Sequence, residues 1–313
     1  METKIWMAPM AGVTDLAFRL ISREFGATHC FFEMLDANAV IYRHCQTLAM
    51  LRSVKADRPI SVQLLGGDPD MMLDAAERVT ALVKVSSLDI NSACPAKKVL
   101  KKKAGAALLN DISRLGRIVH KLASKLSVPV TVKLRTGLYE RDVKRCMEAA
   151  KACEANGAST IYIHGRTMAQ GYSGEVDYEA IRAVKESLDI PVFGSGNILN
   201  PAMAKRMRDE TGCDGILVAR GALGNPWIFR AIERYLKDGR PSAGPAMPEK
   251  KKVLKKHLAC IKKYRDPLKG GGLGYLCKVA MWYIKGIPEA ARLRGRIYKV
   301  RSYEELLDLI GIL

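Results

Sequence analysis

Eight short apolar runs recur along the chain: Ile5–Ala8, Cys30–Met34, Ile60–Leu64, Leu88–Ile90, Val130–Leu134, Ile161–Ile163, Val192–Gly194 and Gly215–Ala219. Several are nearly continuous in β-branched and aliphatic residues, as in strands buried on both faces. Helical patterns lie between most of them: Asp15–Phe25, Asp70–Val83, Ser113–Leu126, Asp142–Asn156, Tyr178–Ser187 and Pro201–Thr211. In the first, Leu16, Phe18, Leu20 and Ile21 share one side and Asp15 is available as a cap. The last carries Pro201 at a first helical position, where its fixed φ suits the helix and its missing N–H is no loss. Strand and helix alternating in this way predicts an α/β chain folded as a (β/α)8 TIM barrel. An open doubly wound sheet would carry a Gly-x-Gly-x-x-Gly turn after its first strand, and that turn is absent.

The barrel is expected to end near residue 237. Residues 238–247, rich in glycine, proline and alanine, read as a linker. The chain from 248 to 313 then turns helical and basic. On a helical wheel, Lys251, Lys252, Lys255, Lys256, Lys262 and Lys263 of Glu249–Arg265 fall within an arc of roughly 140°. Val253, Leu254, Leu258, Cys260, Ile261 and Tyr264 take the other side. Further helices are predicted in Leu276–Ile284 and Tyr303–Leu309, and Arg292, Arg294, Arg296, Lys299 and Arg301 form a second basic run.

Charge sharpens this division. The net charge is +19 over 313 residues. Residues 236–313 hold 18 Lys/Arg against 7 Asp/Glu, so a quarter of the chain carries over half of the excess. A polyanionic partner fits, and nucleic acid comes before membrane. The apolar runs are too short and too interrupted to span a bilayer. The start, Met1-Glu2-Thr3-Lys4-Ile5-Trp6, has no signal-peptide pattern, so a cytoplasmic location is expected. None of the 8 cysteines forms a Cys-x-x-Cys pair, and no metal site is assigned. Most of them are expected as buried thiols.

In a (β/α)8 barrel the active site lies at the C-terminal ends of the strands. Polar or glycine-rich residues stand at each of these tips. They include Glu33, Gln63, Asn91 with Cys94, Lys133 with Arg135, His164 with Arg166, Ser195-Gly196-Asn197, and Arg220-Gly221. Lys133 and Arg135 alternate on one strand and so share a face. With His164, Arg166 and Arg220 they predict a positive cup. The glycine-containing turns after the seventh and eighth strands occupy this fold's usual phosphate position, and Arg220 can pair with phosphate oxygens. Such a ring of donors suits FMN. An unperturbed thiol is largely protonated at neutral pH, so a cysteine at position 94 can donate a proton. A thiolate nucleophile there needs a positive field, which the cup supplies, and both roles stay open. Five lysines between Lys97 and Lys103 predict a mobile basic loop over the mouth, fitted to a phosphate backbone.

Together these residues resemble the flavin-dependent tRNA-dihydrouridine synthases, and the bacterial B-type branch in particular. The resemblance rests on Ala8-Pro9-Met10-Ala11-Gly12-Val13-Thr14-Asp15 with Phe18-Arg19, Asp89-Ile90-Asn91-Ser92-Ala93-Cys94-Pro95, and Lys133-Leu134-Arg135-Thr136-Gly137. It continues through residues 164–174 and 220–229 and runs along almost the whole chain. It implies NADPH-dependent reduction of a uridine C5–C6 double bond in tRNA through FMN, with Cys94 protonating C5. Pro9, Met10, Ala11, Gln63, Lys133, His164, Ser195, Gly196 and Asn197 would hold FMN, with Ala219 and Arg220 near its phosphate. Asn91, Arg135, Arg166 and Tyr172 would hold the uracil or flavin edges, with tRNA gripped by the basic tail of an expected monomer. The chain departs from the family pattern at Ala93 and Ala219, where glycine is usual. It departs also at Ser195 and Asn197, where the turn usually carries asparagine and an acid. Uridine reduction in ribosomal RNA, another flavin-dependent RNA modification, a small-pyrimidine enzyme and a non-catalytic RNA-binding protein are the competing readings.

Overall fold

The computed structural model describes residues 3–241, 243–264, 272–287 and 289–312. Ser242 of the expected linker and Arg265, the expected end of the lysine-faced helix, lie outside the described residues. Among the described residues, nine parallel strands form one sheet: β1 (Lys4–Met7), β2 (Cys30–Phe31), β3 (Leu35–Asp36), β4 (Ile60–Leu65), β5 (Ser87–Asn91), β6 (Val130–Arg135), β7 (Thr160–His164), β8 (Val192–Ser195) and β9 (Gly215–Val218). Their order is β1-β9-β8-β7-β6-β5-β4-β2, with β3 also paired to β4. The Met7 N–H donates to His29 O, just before β2, at 2.9 Å, which brings the two ends of that order together. Because β2 and β3 share one position beside β4, this is a nearly closed barrel of eight strand positions.

Of the expected second run, Cys30–Met34, only Cys30–Phe31 is a strand, and a second short strand, Leu35–Asp36, follows it. Between them Glu33 turns its carboxylate to accept from the Gly12 N–H at 2.6 Å, tying the bend to the loop after β1.

Helices connect the strands: α1 (Leu16–Glu24), α2 (Ala37–Ile41), α3 (Cys45–Leu48), α4 (Pro69–Leu82), α5 (Lys97–Leu100), α6 (Ile112–Lys125), α7 (Val143–Ala155), α8 (Tyr178–Glu186) and α9 (Pro201–Thr211). After β9 comes α10 (Ile228–Asp238), and then α11 (Met247–Tyr264), α12 (Gly272–Tyr283), α13 (Ala290–Ile297) and α14 (Tyr303–Gly311). Aspartates start several of them. Asp15 accepts from the Phe18 N–H and Asp142 from the Arg145 N–H, each at 2.9 Å, satisfying a donor the helix leaves unpaired. The expected basic loop at residues 97–103 begins as the short helix α5, and Lys102 pairs with Asp36 at 2.9 Å.

Alternation along each strand sorts the side chains. Outward residues such as Met7, Val62, Ile90, Val132, Ile163, Val192 and Ile216 pack with the surrounding helices in the main core. Inward residues divide into two walls. Phe31, Tyr162, Phe193 and Leu217 cluster with Trp6, whose ring lies 4.4 Å from that of Phe193 and 4.3 Å from that of His29. On β4–β6 the inward residues are polar, with Ser61 joined to Ser87 at 2.5 Å and to His29 at 2.7 Å.

The helices from α11 onward form a small helical domain with a core of its own, which also takes Ala17 and Ile21 from α1. The Trp282 ring stands edge-on to Phe18 at 6.0 Å. A β-carbon at Gly224 would lie 2.2 Å from Trp282 O, so only glycine permits this approach of the loop after β9 to α12. Tyr275 Oη and Lys278 Nζ donate to Val13 O and Gly12 O, each at 3.5 Å, on the loop after β1. As the wheel predicts, Val253, Leu254, Leu258 and Ile261 of α11 are buried, while Lys252, Lys255, Lys256, Lys262 and Lys263 are exposed. Lys256 pairs with Glu24 at 2.6 Å. Among the described residues no helix is long and apolar enough to cross a membrane.

Candidate active site

At the C-terminal ends of the strands lies a cavity of about 350 Å³, within the ~300–1,000 Å³ common for small-molecule sites. Its lining includes Pro9, Met10 and Ala11 after β1, Gln63 on β4, Asn91 and Cys94 at the end of β5, and Lys133 and Arg135 on β6. His164 and Tyr172 join from β7 and its loop, Ser195, Gly196 and Asn197 from β8, and Ala219 and Arg220 from the end of β9. Arg166 does not line the cavity. It is fully buried, and Nε and Nη2 donate to Ser173 O and Gly174 O at 2.8 and 2.6 Å. Its Nη1 is buried without a hydrogen-bond partner.

Side chains on β4–β6 form a continuous ladder. Asp89 accepts from Thr131 Oγ1 at 2.7 Å and from Gln63 Nε2 at 2.6 Å. Gln63 Oε1 accepts from Asn91 Nδ2 at 2.7 Å. Asn91 Oδ1 in turn accepts the N–H groups of Ala93 and Cys94 at 3.1 and 2.9 Å, closing a tight turn at the strand tip. Arg135 Nε donates to Ala93 O at 2.7 Å, and Nη1 donates to Thr167 O at 2.8 Å and Gly171 O at 3.1 Å. One guanidinium thereby braces both the Cys94 turn and the loop that carries Tyr172. The thiol of Cys94 is held half-buried at the cavity rim.

Burial, then the Arg135 charge, pushes the Lys133 ammonium down to about 8, and Asp89 opposes the shift. Burial pushes the Asp89 carboxyl up to about 7, against the bonds from Gln63 and Thr131 and the charge of Lys133. Burial and then Lys133, Arg135, Arg166 and Arg220 hold His164 well below the usual imidazole range. The positive charge of the cup therefore comes from the lysine and the arginines, while His164 is a neutral imidazole able to donate and accept.

Gly196 (φ +138°) and Asn197 (φ +48°) turn the chain through left-handed conformations after β8. Asparagine tolerates that region better than most residues, and its Oδ1 accepts from Arg220 Nη2 at 3.0 Å. The Arg220 guanidinium lies 4.8 Å from the Tyr172 ring centre. A β-carbon at Gly221 would lie 2.0 Å from Ile198 O, so the loops after β8 and β9 touch backbone to backbone. The methyl of Ala219 is accommodated at φ −115°, beside the aromatic wall.

The sequence assigns no site role to Met34 or Asp89, although Asp89 opens the Asp89–Pro95 motif. Met34 lines the cavity, and its Sδ accepts from Asn91 Nδ2 at 3.1 Å; its place at the end of an apolar run is the available signal. Asp89 lies fully buried beneath Gln63, and a carboxylate inside an apolar run is its signal.

The dihydrouridine synthase (Dus) family model matches residues 6–311. The chain is 37% identical over 302 residues to tRNA-dihydrouridine synthase B of Pseudomonas aeruginosa, covering 96% of this chain and 90% of that protein. It is 39% identical over 305 residues to tRNA-dihydrouridine synthase B of Serratia marcescens, with 97% and 90% covered. Among solved structures, 6-hydroxypseudooxynicotine amine oxidase from Pseudomonas geniculata N1 superposes with a TM-score of 0.57 at 15% identity, over 75% of this chain and 47% of that one. This last likeness concerns the fold alone. A family match over nearly the whole chain, joined to a barrel whose strand tips converge on one cavity, has a plain outcome: the chain belongs to the dihydrouridine synthase family of oxidoreductases.

Proposed function

We propose that this protein reduces the C5–C6 double bond of specific uridines in tRNA to dihydrouridine, with FMN as its flavin and NADPH as reductant. The carrying observation is the place of Cys94: a thiol pinned on the rim of a cavity that Lys133, Arg135 and Arg220 make cationic. The printed names of the relatives support tRNA as the substrate.

The residues present fit FMN. The left-handed turn at Gly196–Asn197 and the guanidinium of Arg220, which Asn197 Oδ1 holds at 3.0 Å, offer a phosphate seat. Ser195 and Ala219 complete that seat. Pro9, Met10 and Ala11 supply an apolar edge, and Gln63, Lys133 and His164 supply donors for the polar edge of a ring. When bound, FMN supplies the hydride to uracil C6.

The remaining work falls to the chain. Lys133 keeps most of its charge at neutral pH, because burial lowers its pKa only to about 8, and it stabilises negative charge developing beside it. Tyr172 positions the uracil, Asn91 and Arg135 act on it through the Cys94 turn they hold, and Arg166 acts through the Ser173 and Gly174 carbonyls it holds. The Cys94 thiol donates a proton to C5 and regains one from solvent, which completes the addition of two hydrogens. The uridine must leave its stack to reach this cavity. We assign catalysis to residues 1–237, a linker to 238–247 and the RNA grip to 248–313, in a monomer acting in the cytoplasm. Arg292, Arg294, Arg296, Lys299 and Arg301 are all exposed for contact with phosphates.

Anaerobic incubation with NADPH and unmodified tRNA, followed by nuclease digestion and mass spectrometry, tests the reading. The expected result is a two-hydrogen mass gain at defined uridines. No gain from a protein that carries FMN and oxidises NADPH would overturn tRNA as the substrate.

A further inference from the structure

Asp89 touches neither the cavity nor the thiol, yet the ladder on β4–β6 starts from it. Its two oxygens accept, one from Thr131 Oγ1 at 2.7 Å and the other from Gln63 Nε2 at 2.6 Å. Above a pH of about 7, where Asp89 is ionised, its carboxylate has no proton to offer and admits only the amino side of the Gln63 amide. Gln63 must then present its oxygen to Asn91, at 2.7 Å. Asn91 must spend its amino group there and turn its own oxygen to the N–H groups of Ala93 and Cys94. Were either amide reversed, the Asn91 amino group would face two backbone donors, and the turn carrying Cys94 would lose its closing bonds.

We propose that Asp89 is a positioning residue for Cys94, acting through the amides of Gln63 and Asn91, whose orientation it dictates across two adjacent strands. Asp89 is fully buried, and among the charged groups around it Lys133 opposes the effect of burial. Asn91 and Lys133 are register partners on adjacent strands, so the relay ends beside the ammonium that faces the cavity. This deepens the reading of Cys94 as proton donor and rests on it for its purpose. The geometry it predicts is measurable without RNA, flavin turnover or reductant.

The test is site-resolved alkylation of the purified protein by iodoacetamide, followed by peptide mass spectrometry. The cysteines supply their own controls, since Cys45 is exposed while Cys30, Cys146 and Cys153 are buried. In Asp89→Leu the Cys94 rate rises about fivefold or more, as expected when two backbone donors lose their acceptor and the turn loosens. Cys45 keeps its rate, and the three buried thiols stay unlabelled. In Asp89→Asn the Cys94 rate stays within about twofold of the parent, because asparagine retains an acceptor for Gln63 while the Thr131 hydroxyl reverses to accept its amino group. An unchanged or slower Cys94 rate in Asp89→Leu overturns the proposal. An equal rise in Asp89→Asn also overturns it, because the effect then belongs to the lost charge. Should Asp89→Leu unfold the barrel and label Cys146 and Cys153, Gln63→Leu decides instead. It cuts the relay one link later, and an unchanged Cys94 rate in a folded Gln63→Leu protein is equally fatal. Absence of dihydrouridine with these alkylation results intact would count against the function proposed above and leave the relay standing.

Discussion

Around the barrel interior, β1, β2 and β7–β9 turn in Trp6, Phe31, Tyr162, Phe193 and Leu217, whereas β4–β6 turn in Ser61, Gln63, Asp89, Asn91, Thr131 and Lys133. Apart from half-buried Trp6, these residues are buried, so the contrast lies in what satisfies them. The aromatic wall gains by removing ring surface from water and by tilted ring contacts, such as Tyr162 and Phe193 at 5.4 Å. The polar wall gains little net from each hydrogen bond and loses heavily where one is missing. In exchange it can hold a chosen atom in one place, as a stack of rings cannot. Stability should therefore concentrate on one wall and chemistry on the other.

The sharpest way to break this contrast is Cys94→Ala at the end of the polar wall. Dihydrouridine formation should fall by about 10²–10⁴-fold, the usual worth of a positioned acid, with flavin still bound and the melting temperature unchanged. Activity near the parent level, read by tRNA mass gain, would remove chemistry from that wall. Next, Phe193→Ala should cost about 3–5 kcal/mol of stability by denaturant titration, because it opens a cavity among the rings. A loss confined to activity would assign a catalytic duty to the aromatic wall. Smaller again, Lys133→Met should weaken flavin binding by about 1.5–3 kcal/mol, the value of a charge-assisted bond, read by flavin release on dilution. Its stability should hold or rise, because a buried charge is replaced by an apolar side chain of similar length. A midpoint as low as that of Phe193→Ala would erase the distinction.

The finest test is pH. Burial, helped by Arg23, pushes His29 beside the aromatic wall down to about 4, so the folded state loses stability as pH falls from the ordinary imidazole value near 6.5 towards 4. Asp89 is pushed up to about 7, so its contribution is present at low pH and is lost as pH rises through 4 to 7. Within that shared window the two slopes oppose, each at most about 1.4 kcal/mol per pH unit. Buried His257, pushed down to about 3, adds to the His29 side. Asp89→Asn should therefore make the protein visibly more acid-sensitive, and His29→Gln less so. Parallel stability curves for both variants would contradict these assignments.

Much of the barrel can be read from the chain because its outward faces are aliphatic and its helices begin at capping aspartates such as Asp15 and Asp142. The walls are harder to see. Val-Thr-Val-Lys-Leu-Arg shows its alternation in β6, whereas Ile-Tyr-Ile in β7 hides it, since an inward tyrosine and an outward isoleucine both read as apolar. The helix α10 escapes notice because Trp227 opens it without a side-chain cap. Most of the cavity's polar residues stand at strand tips, where the fold itself directs attention. Arg166 stands at such a tip too, yet it points into its own loop, and position along a strand says nothing of that choice. Asp89 stands in a quoted motif, yet its role is hidden for a different reason, because its influence passes through two other side chains.

The meeting of Gly224 with the Trp282 carbonyl has an evolutionary consequence. Together with Ala17 and Ile21, which the barrel lends to the helical core, and the Gly12 and Val13 carbonyls held from α12, it makes the tail a poor candidate for exchange. A tail transplanted from a relative with another RNA preference would have to bring a matching α1 and a matching loop after β9. Under the RNA grip proposed for residues 248–313, lineages built on this joint would reach new substrates by changing exposed residues such as Arg294 and Lys299 in place, one side chain at a time, more readily than by swapping whole modules.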